Sequence, residues 1–382
     1  GLKGENRRQF EDQLIRNLRQ ALKGVLNEPV KRAYGRFLIY LPEEFDWPAI
    51  RERLEKVPGL ANFSLAELVE QNIEAIEASA CRQMQQREFP SFRVTTKRSQ
   101  KNFPMTSDEI NRRVGAAIQQ ITGAKVDLTH PAVTCYIEVF DQHAVVYTEK
   151  IPGLRGLPVG SSEKAVSLLS SGIDSPVASY RIITRGVRLI FVHFHSVPFT
   201  SPASMENAKR LVARLTEYQL SSRLYCVPFL EIQQAIMAAT RPDYRVVLYR
   251  RSMVRIAERI ARRERARALV TGESIGQVAS QTLSNMRVIN EVATLPILRP
   301  LSGSDKEEII AQAWRIGTFE ISTEPYDDCC SLFVPKHPVT RAEPEIVHDI
   351  ESELDWKALE QKALQEAEIH RFIFPPGDAP AD

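Results

Sequence analysis

The sequence predicts an α/β chain in which a doubly wound parallel sheet follows a mixed α+β region. Three observations carry this. Apolar, β-rich runs at 165–169 (AVSLL), 188–194 (RLIFVHF), 223–229 (RLYCVPF) and 266–272 (ARALVTG) alternate with helical stretches near 174–186, 203–219 and 244–264. Strands that are apolar on both faces and separated by crossover helices form a parallel sheet covered on both sides. Before residue 149 that rhythm is absent, and the chain reads as short elements of both kinds. Between the two regions, EKIPGLRGLPVGSSE (149–163) mixes Gly and Pro without periodicity, which marks a boundary. At 382 residues there is room for two or three domains.

Taken in order, Phe10, Leu14, Leu18 and Leu22 recur every fourth residue and predict an amphipathic helix over 5–24. A strand is expected at 36–41, stopped by Pro42. A helix is expected from Leu65 to Ala80, with Ser64 as N-cap and Glu67 at the capping-box position. Strands are expected at 92–95 and 135–140, and between them Ser107 caps a helix ending near Gly123. The tail from about 341 is expected to be helical around Asp355 to Glu368 and disordered in FPPGDAPAD.

Composition narrows the class. Hydrophobic and charged shares of 43% and 26% are those of a globular chain, not a disordered or fibrous one. No run reaches the roughly 18 apolar residues of a membrane span, and the polar, basic Gly1 to Arg8 does not resemble a signal peptide. Five cysteines are few and odd in number, so a reducing cytoplasm is expected rather than a disulfide scaffold. The formal net charge of +2 hides an uneven distribution. Residues 245–267 hold nine Arg against two Glu, and residues 82–113 hold eight basic residues against three acids. Residues 341–382 carry four basic residues against eleven acids. Such helices are often solvated faces; two basic segments in separate domains predict an RNA-facing basic surface.

The chemistry is carried by Ser170-Ser171-Gly172-Ile173-Asp174-Ser175-Pro176, which joins the first apolar strand to a helix. A small-residue turn at a helix N-terminus leaves N–H groups facing outward at the positive end of the dipole, and hydroxyls add donors, so it can cradle an anion. Pro176 fits the first helical turn. No Gly-Lys-Ser/Thr follows, so this is not a Walker A loop. An ordinary Ser-rich helix cap is the alternative.

This turn resembles the SGGxDS signature of the PP-loop ATP pyrophosphatases, with Ser171 in place of the usual Gly. TGESIGQVASQTL (271–283), Val192 to His195, Arg299-Pro300-Leu301 with Asp305-Lys306, and Asp328-Cys329-Cys330 resemble the tRNA 4-thiouridine synthase family. FRVTTKRS (92–99), KNFPMTSDEI (101–110) and TGAKVDLTHP (122–131) are similar to a THUMP domain, a tRNA-binding module. The opening GLKGENRRQF resembles the end of that family's first strand and the start of its first helix. The resemblance implies a ferredoxin-like domain at 1–58 lacking its first strand, which suggests a shortened N-terminus, and a THUMP domain at 59–150. A linker at 151–163, a PP-loop domain at 164–345 and a helix with an acidic tail at 346–382 follow. No rhodanese-like domain follows Cys329, as in the shorter form of the family.

The resemblance further implies adenylation of a tRNA uridine O4 (position 8 in the family) by ATP, then sulfur transfer, with a link to thiamine biosynthesis. ATP contacts map onto Leu168, Leu169, Ser170, Ser171, Gly172, Ser175, His193, Phe194, Arg250, Gly272 and Gln281. The leucines and Phe194 read equally as core, and His193 as structural. Asp174 is expected to meet Mg²⁺ beside the phosphates; a first-turn acid favouring the helix dipole is the alternative. Lys306 opens a helix where a cation opposes the dipole, which points to a phosphate partner or, more plainly, a solvated lysine. The family's catalytic cysteine falls on Cys329, with Cys330 in reserve, although two preceding acids do not activate either thiol. Cys81, Cys135 and Cys226 lie in apolar stretches and are expected in the core. Lys97, Arg98, Lys101, Arg112 and Arg113 are expected to grip RNA by its phosphates and shape. The implied partners are tRNA, a cysteine desulfurase as persulfide donor and a thiamine-pathway sulfur carrier; no membrane is implied, and a homodimer is compatible. Two alternatives stay open: another PP-loop enzyme that 2-thiolates or amidates tRNA, and a non-catalytic tRNA-binding protein.

Overall fold

The computed structural model describes residues 6–33, 35–99, 102–325, 333 and 337–376. It contains two compact units, one of residues 1–27, 45–60 and 154–382 and one of residues 28–44 and 61–153.

In the larger unit a six-stranded sheet runs in the spatial order Ile297–Leu298, Ala268–Val270, Lys164–Leu168, Arg188–His195, Ser221–Pro228, Glu368–Ile373. The first five strands are parallel, as the near-continuous apolar runs require. The sixth departs from the expectation for the tail: residues 368–373 pair antiparallel with 221–226 and form one edge of the sheet. A helix at Leu230–Ala239, not foreseen, and the helices Pro344–Ser352 and Trp356–Gln365 complete the unit's C-terminal half. Two apolar cores result. Val177, Leu211 and Ile309 bury one face of the sheet, and Leu248, Ile256 and Val347 the other. Of FPPGDAPAD, expected to be disordered, Phe374 is instead held at the sheet edge, its N–H donating to Leu220 O at 2.8 Å and its carbonyl accepting from Gln20 at 3.0 Å, and residues 377–382 lie outside the described residues.

The long helix Arg245–Glu264 overturns the charge argument for its segment. Arg251 is buried; its guanidinium donates twice to Glu351 at 2.8 Å and bonds the carbonyl of Val288. Arg255 reaches the same Glu351 at 2.7 Å, and Arg259 lies 3.0 Å from the buried Glu360. The basic helix and the acidic tail therefore neutralise each other inside one unit, and these three arginines do not form an RNA-facing surface. Buried charges persist where they are paired and hydrogen-bonded.

The smaller unit has a five-stranded sheet in the order Glu67–Glu70, His143–Tyr147, Val133–Val139, Ser91–Arg98, Lys125–Val126, packed against helices Ile73–Gln85 and Ser107–Thr122. The helix expected from Leu65 is a strand first: Glu67–Glu70 pairs with 143–146, and the helix begins after Asn72, whose Oδ1 accepts from Ala75 N–H. Glu67 instead accepts from Ser79 and Arg82. The second helix is capped by Thr106, one residue before the expected Ser107, in a full capping box with Glu109. It ends as expected at Gly123, whose φ of 69° favours glycine. Among the described residues no helix is long and apolar enough to cross a membrane.

Candidate active site

The chain leaves strand 164–168 to build strands 188–195 and 221–228 on one side, then returns to place 268–270 on its other side. The crevice at the carboxyl ends of 164–168 and 268–270 is thus the switch point at which open α/β sheets bind ligands. Both predicted loops emerge there.

The turn after Leu168 is braced from within. Ser175 Oγ accepts from Ser170 N–H at 2.9 Å and donates to Ser170 O at 3.1 Å, while Gly172 N–H donates to Ser170 Oγ at 3.3 Å. Helix Asp174–Ile183 starts from Ile173 with no side-chain cap, so its first amides point into the turn. Ser171, the departure from the usual glycine, does not crowd that space. Its hydroxyl is buried and donates to Ser204 O at 2.8 Å, away from the turn. Ser322 adds an outer brace on Gly172 O at 3.3 Å.

Gly272 is where only glycine fits. A Cβ there would lie 2.7 Å from both Cα and N of Ser175. The strand end therefore packs directly against the backbone of helix Asp174–Ile183. Beyond it, buried Glu273 accepts from Thr271 at 2.8 Å and Arg299 at 2.6 Å, and lies 3.6 Å from Arg250. This carboxylate, unassigned in the sequence, aims Arg250 out of the long helix toward the strand ends. Gln281 is a loop brace, its side-chain carbonyl accepting from Ser274 N–H and its backbone carbonyl from Gly276 N–H. The loop leaves Ile275 and Val278 half exposed on its outer rim.

Asp174 and Lys306 come together. Lys306 Nζ donates to Asp174 Oδ1 at 2.6 Å, and Gln277, absent from the expected set, donates to Oδ2 at 3.2 Å. The lysine opens helix Lys306–Arg315, held in place by Arg181, which donates to Pro300 O, Ser304 Oγ and Gln312 Oε1. The expected tension between Lys306 and its own helix dipole is thus answered by a carboxylate on another helix. The pair is open to solvent, so it contributes at most about 1 kcal/mol to stability.

The remaining cofactor candidates divide. Leu169 is buried and its N–H bonds Val192 O; Leu168 is partly buried against the core. His193 is buried, and its Nδ1–H donates to Leu169 O at 3.0 Å, joining two strand ends. Phe194 stacks edge-on against Phe229 at 5.3 Å in the core, which leaves its backbone rather than its ring facing the crevice. Cys135 and Cys226 are buried with thiols pushed up to about 12 by burial; Cys81 is half-buried and raised for the same reason. None is a ready thiolate. Cys329 and Cys330 lie outside the described residues.

Among the described residues no three His, Cys, Asp or Glu side chains cluster as a metal cage. A single open carboxylate, Asp174, suits a Mg²⁺ that takes most of its ligands from phosphates and water.

In the smaller unit, Lys97 and Arg112 are exposed. Arg98 is spent on the carbonyl of Met105 at 2.7 Å, and Arg113 pairs with Glu77 at 2.9 Å and Glu74 at 3.1 Å. Lys101 lies outside the described residues.

Three family models match the chain. The model described as thiamine biosynthesis protein (ThiI) covers residues 160–356, a ThiI ferredoxin-like domain covers 1–64 and a THUMP domain covers 70–149. A relative from Thermus thermophilus named "Probable tRNA sulfurtransferase" is 46% identical over all of this chain and 94% of its own length. One of the same name from Brevibacillus brevis is 42% identical over all of this chain and 96% of its own. A crystal structure of a 4-thiouridine synthetase–RNA complex with bound ATP superposes with a TM-score of 0.91 at 38% identity, covering 97% of each chain.

Proposed function

The chain belongs to the thiamine biosynthesis protein (ThiI) family, and on that premise we propose that it is an ATP-dependent tRNA sulfurtransferase that makes 4-thiouridine. One observation carries the assignment of the site: the Ser170–Ser175 turn, Asp174 and Lys306 converge at the switch point of the sheet.

ATP sits with its phosphates over the turn, where the first amides of helix 174–183 and the hydroxyl of Ser170 face the β- and γ-phosphates. The uridine O4 attacks the α-phosphorus and pyrophosphate leaves. Lys306, already at the rim, turns from Asp174 to the departing phosphates, and Arg250 approaches from the long helix. When bound, Mg²⁺ on Asp174 supplies charge neutralisation for the leaving group. Adenylation converts O4 into part of a good leaving group, so that a sulfur nucleophile displaces AMP at C4. Ile275 and Val278 give the substrate base an apolar face to pack on once it leaves its stack. The family resemblance supports Cys329 either as the residue that receives persulfide sulfur from a cysteine desulfurase, whose outer sulfur displaces AMP before a second thiol cleaves the S–S bond as a disulfide, or as the thiol that resolves such an intermediate. It also supports position 8 as the target and a second output in thiamine biosynthesis. A cytoplasmic setting accords with this.

An ATP–pyrophosphate assay with a tRNA transcript tests the site. Asp174→Ala is expected to abolish pyrophosphate release while the transcript still binds; full adenylation by the variant would remove Asp174 from the mechanism. Cys329→Ser should adenylate yet yield no thiolated nucleoside by mass analysis.

A further inference from the structure

The sheet of the larger unit has a second charged end, at the amino ends of its parallel strands, that the reaction above leaves unused. Lys164 lies directly opposite Arg188 on the neighbouring strand. On the next two strands, Arg223 lies directly opposite Arg371. Like charges opposed across neighbouring strands destabilise a sheet, and two such pairs stand side by side on one rim. All four line a cavity of about 230 Å³, and a neighbouring cavity of about 220 Å³ adds Arg263. A single carboxylate, Glu264, is among the lining residues of either cavity. It is already engaged by Arg223 at 2.8 and 2.9 Å and by the Tyr225 hydroxyl at 2.6 Å. Lys164 is accounted for as a cation at a helix C-terminus, its Nζ donating to Glu264 O at 3.3 Å. Among the described residues Arg188, Arg263 and Arg371 pair with no carboxylate, and Arg188 Nε is buried without a partner.

We propose that this rim is a phosphate-binding site. Guanidiniums arriving from two strands and a helix end suit a tetrahedral anion with several free oxygens better than a planar carboxylate, and each fork can bond two of them. The site is separate from the ATP turn. Lys164 opens the strand whose other end leads into Ser170, so the two lie at opposite ends of the sheet. The phosphate comes either from the backbone of the RNA substrate, a source that rests on the function proposed above, or from free phosphate, which does not.

The test uses the full chain and the double variant Arg188→Gln, Arg371→Gln. Thermal unfolding is followed in inorganic phosphate and in sodium chloride of equal ionic strength, and binding of a tRNA transcript is measured against salt. Phosphate is expected to raise the unfolding temperature of the wild-type chain beyond chloride, and to raise that of the variant clearly less, the remainder coming from the intact Ser170–Ser175 turn. If the variant also binds the transcript several-fold more weakly, with a log–log salt slope flatter by about one unit per arginine, the RNA backbone is the source. If transcript binding is unchanged, the source is free phosphate. Equal responses of both chains to phosphate and to transcript overturn the site. So does a variant that melts below wild type in chloride and responds to phosphate as wild type does, because the arginines are then structural. Adenylation by the wild-type chain is measured alongside; its absence with phosphate binding intact would sink the sulfurtransferase reading alone.

Discussion

Two stretches of this chain, 245–267 and 82–113, carry a similar excess of positive charge, and the fold treats them in opposite ways. On helix Arg245–Glu264, Arg251, Arg255 and Arg259 turn to Glu351 and Glu360, about a hundred residues away in sequence. In the other stretch, Lys97 and Arg112 stand exposed while Arg98 and Arg113 hold a loop and a helix. Charge counted along a sequence is therefore an upper limit on the charge offered to a polyanion. Tertiary neighbours decide how much remains.

The largest effect that can break this contrast is at Arg251. Arg251→Ala leaves Glu351 short of its buried partner and the Val288 carbonyl unpaired. Removing one member of a buried pair typically costs about 3–5 kcal/mol. Urea denaturation at pH 7 should show a loss of that order, and Arg251→Met with Glu351→Gln should recover much of it. An unchanged midpoint would mean that the helix is not neutralised from within.

What could be read from the sequence follows the same division between local and distant causes. Four of the five parallel strands rest on apolar runs, and the anion turn rests on Ser170 to Pro176 lying between one such run and a helix, so both are local and both were legible; the two-residue strand Ile297–Leu298 is too short to announce itself. So was the helix end at Gly123. The stretch after Ser64 misled because LAELVE fits a helix by spacing, and only pairing with 143–146 makes it a strand. Gln277 on Asp174, Ser322 on Gly172 and Glu273 under Arg250 join residues far apart in the chain or on separate loops. No periodicity announces them. The acidic tail was legible as charge, but not as the partner of a helix.

A smaller effect, dependent on pH, sharpens the contrast inside the Arg-rich helix itself. Burial raises Glu360 to about 7 despite Arg259 and Arg255, and the nearby Glu351 pushes it the same way. Burial works against Glu351 too, but hydrogen bonds from Arg251 and Arg255 hold it below the usual carboxylate range. A raised acid favours the fold below its unfolded pKa near 4.5, and that contribution is lost as pH rises through about 7. Glu360→Gln removes this loss, so its stability relative to wild type should climb between pH 5 and pH 8, by about 1–3 kcal/mol at most. The opposite trend would show that the arginines dominate Glu360 as they do Glu351. Glu351 has the reverse sign, stabilising above the unfolded pKa and failing as pH falls.

The smallest effect on stability tests the exposed side of the comparison. Lys97→Ala with Arg112→Ala removes two solvated charges, and surface substitutions of this kind usually shift stability by no more than about 0.5 kcal/mol. Arg113→Ala breaks two ion pairs with Glu74 and Glu77, yet both are open to solvent, so it too should leave the unfolding midpoint nearly unchanged. The variants part company on RNA. If exposure decides, the Lys97 and Arg112 pair should weaken transcript binding across sequences and flatten the salt slope by about one unit each. Arg113→Ala should leave that slope nearly unchanged, because its guanidinium already has two carboxylates beside it. Equal slopes for the two variants would mean that the Glu74 and Glu77 pairs open to release Arg113 to RNA, and that an exposed ion pair, unlike the buried ones of the long helix, withholds nothing from a polyanion.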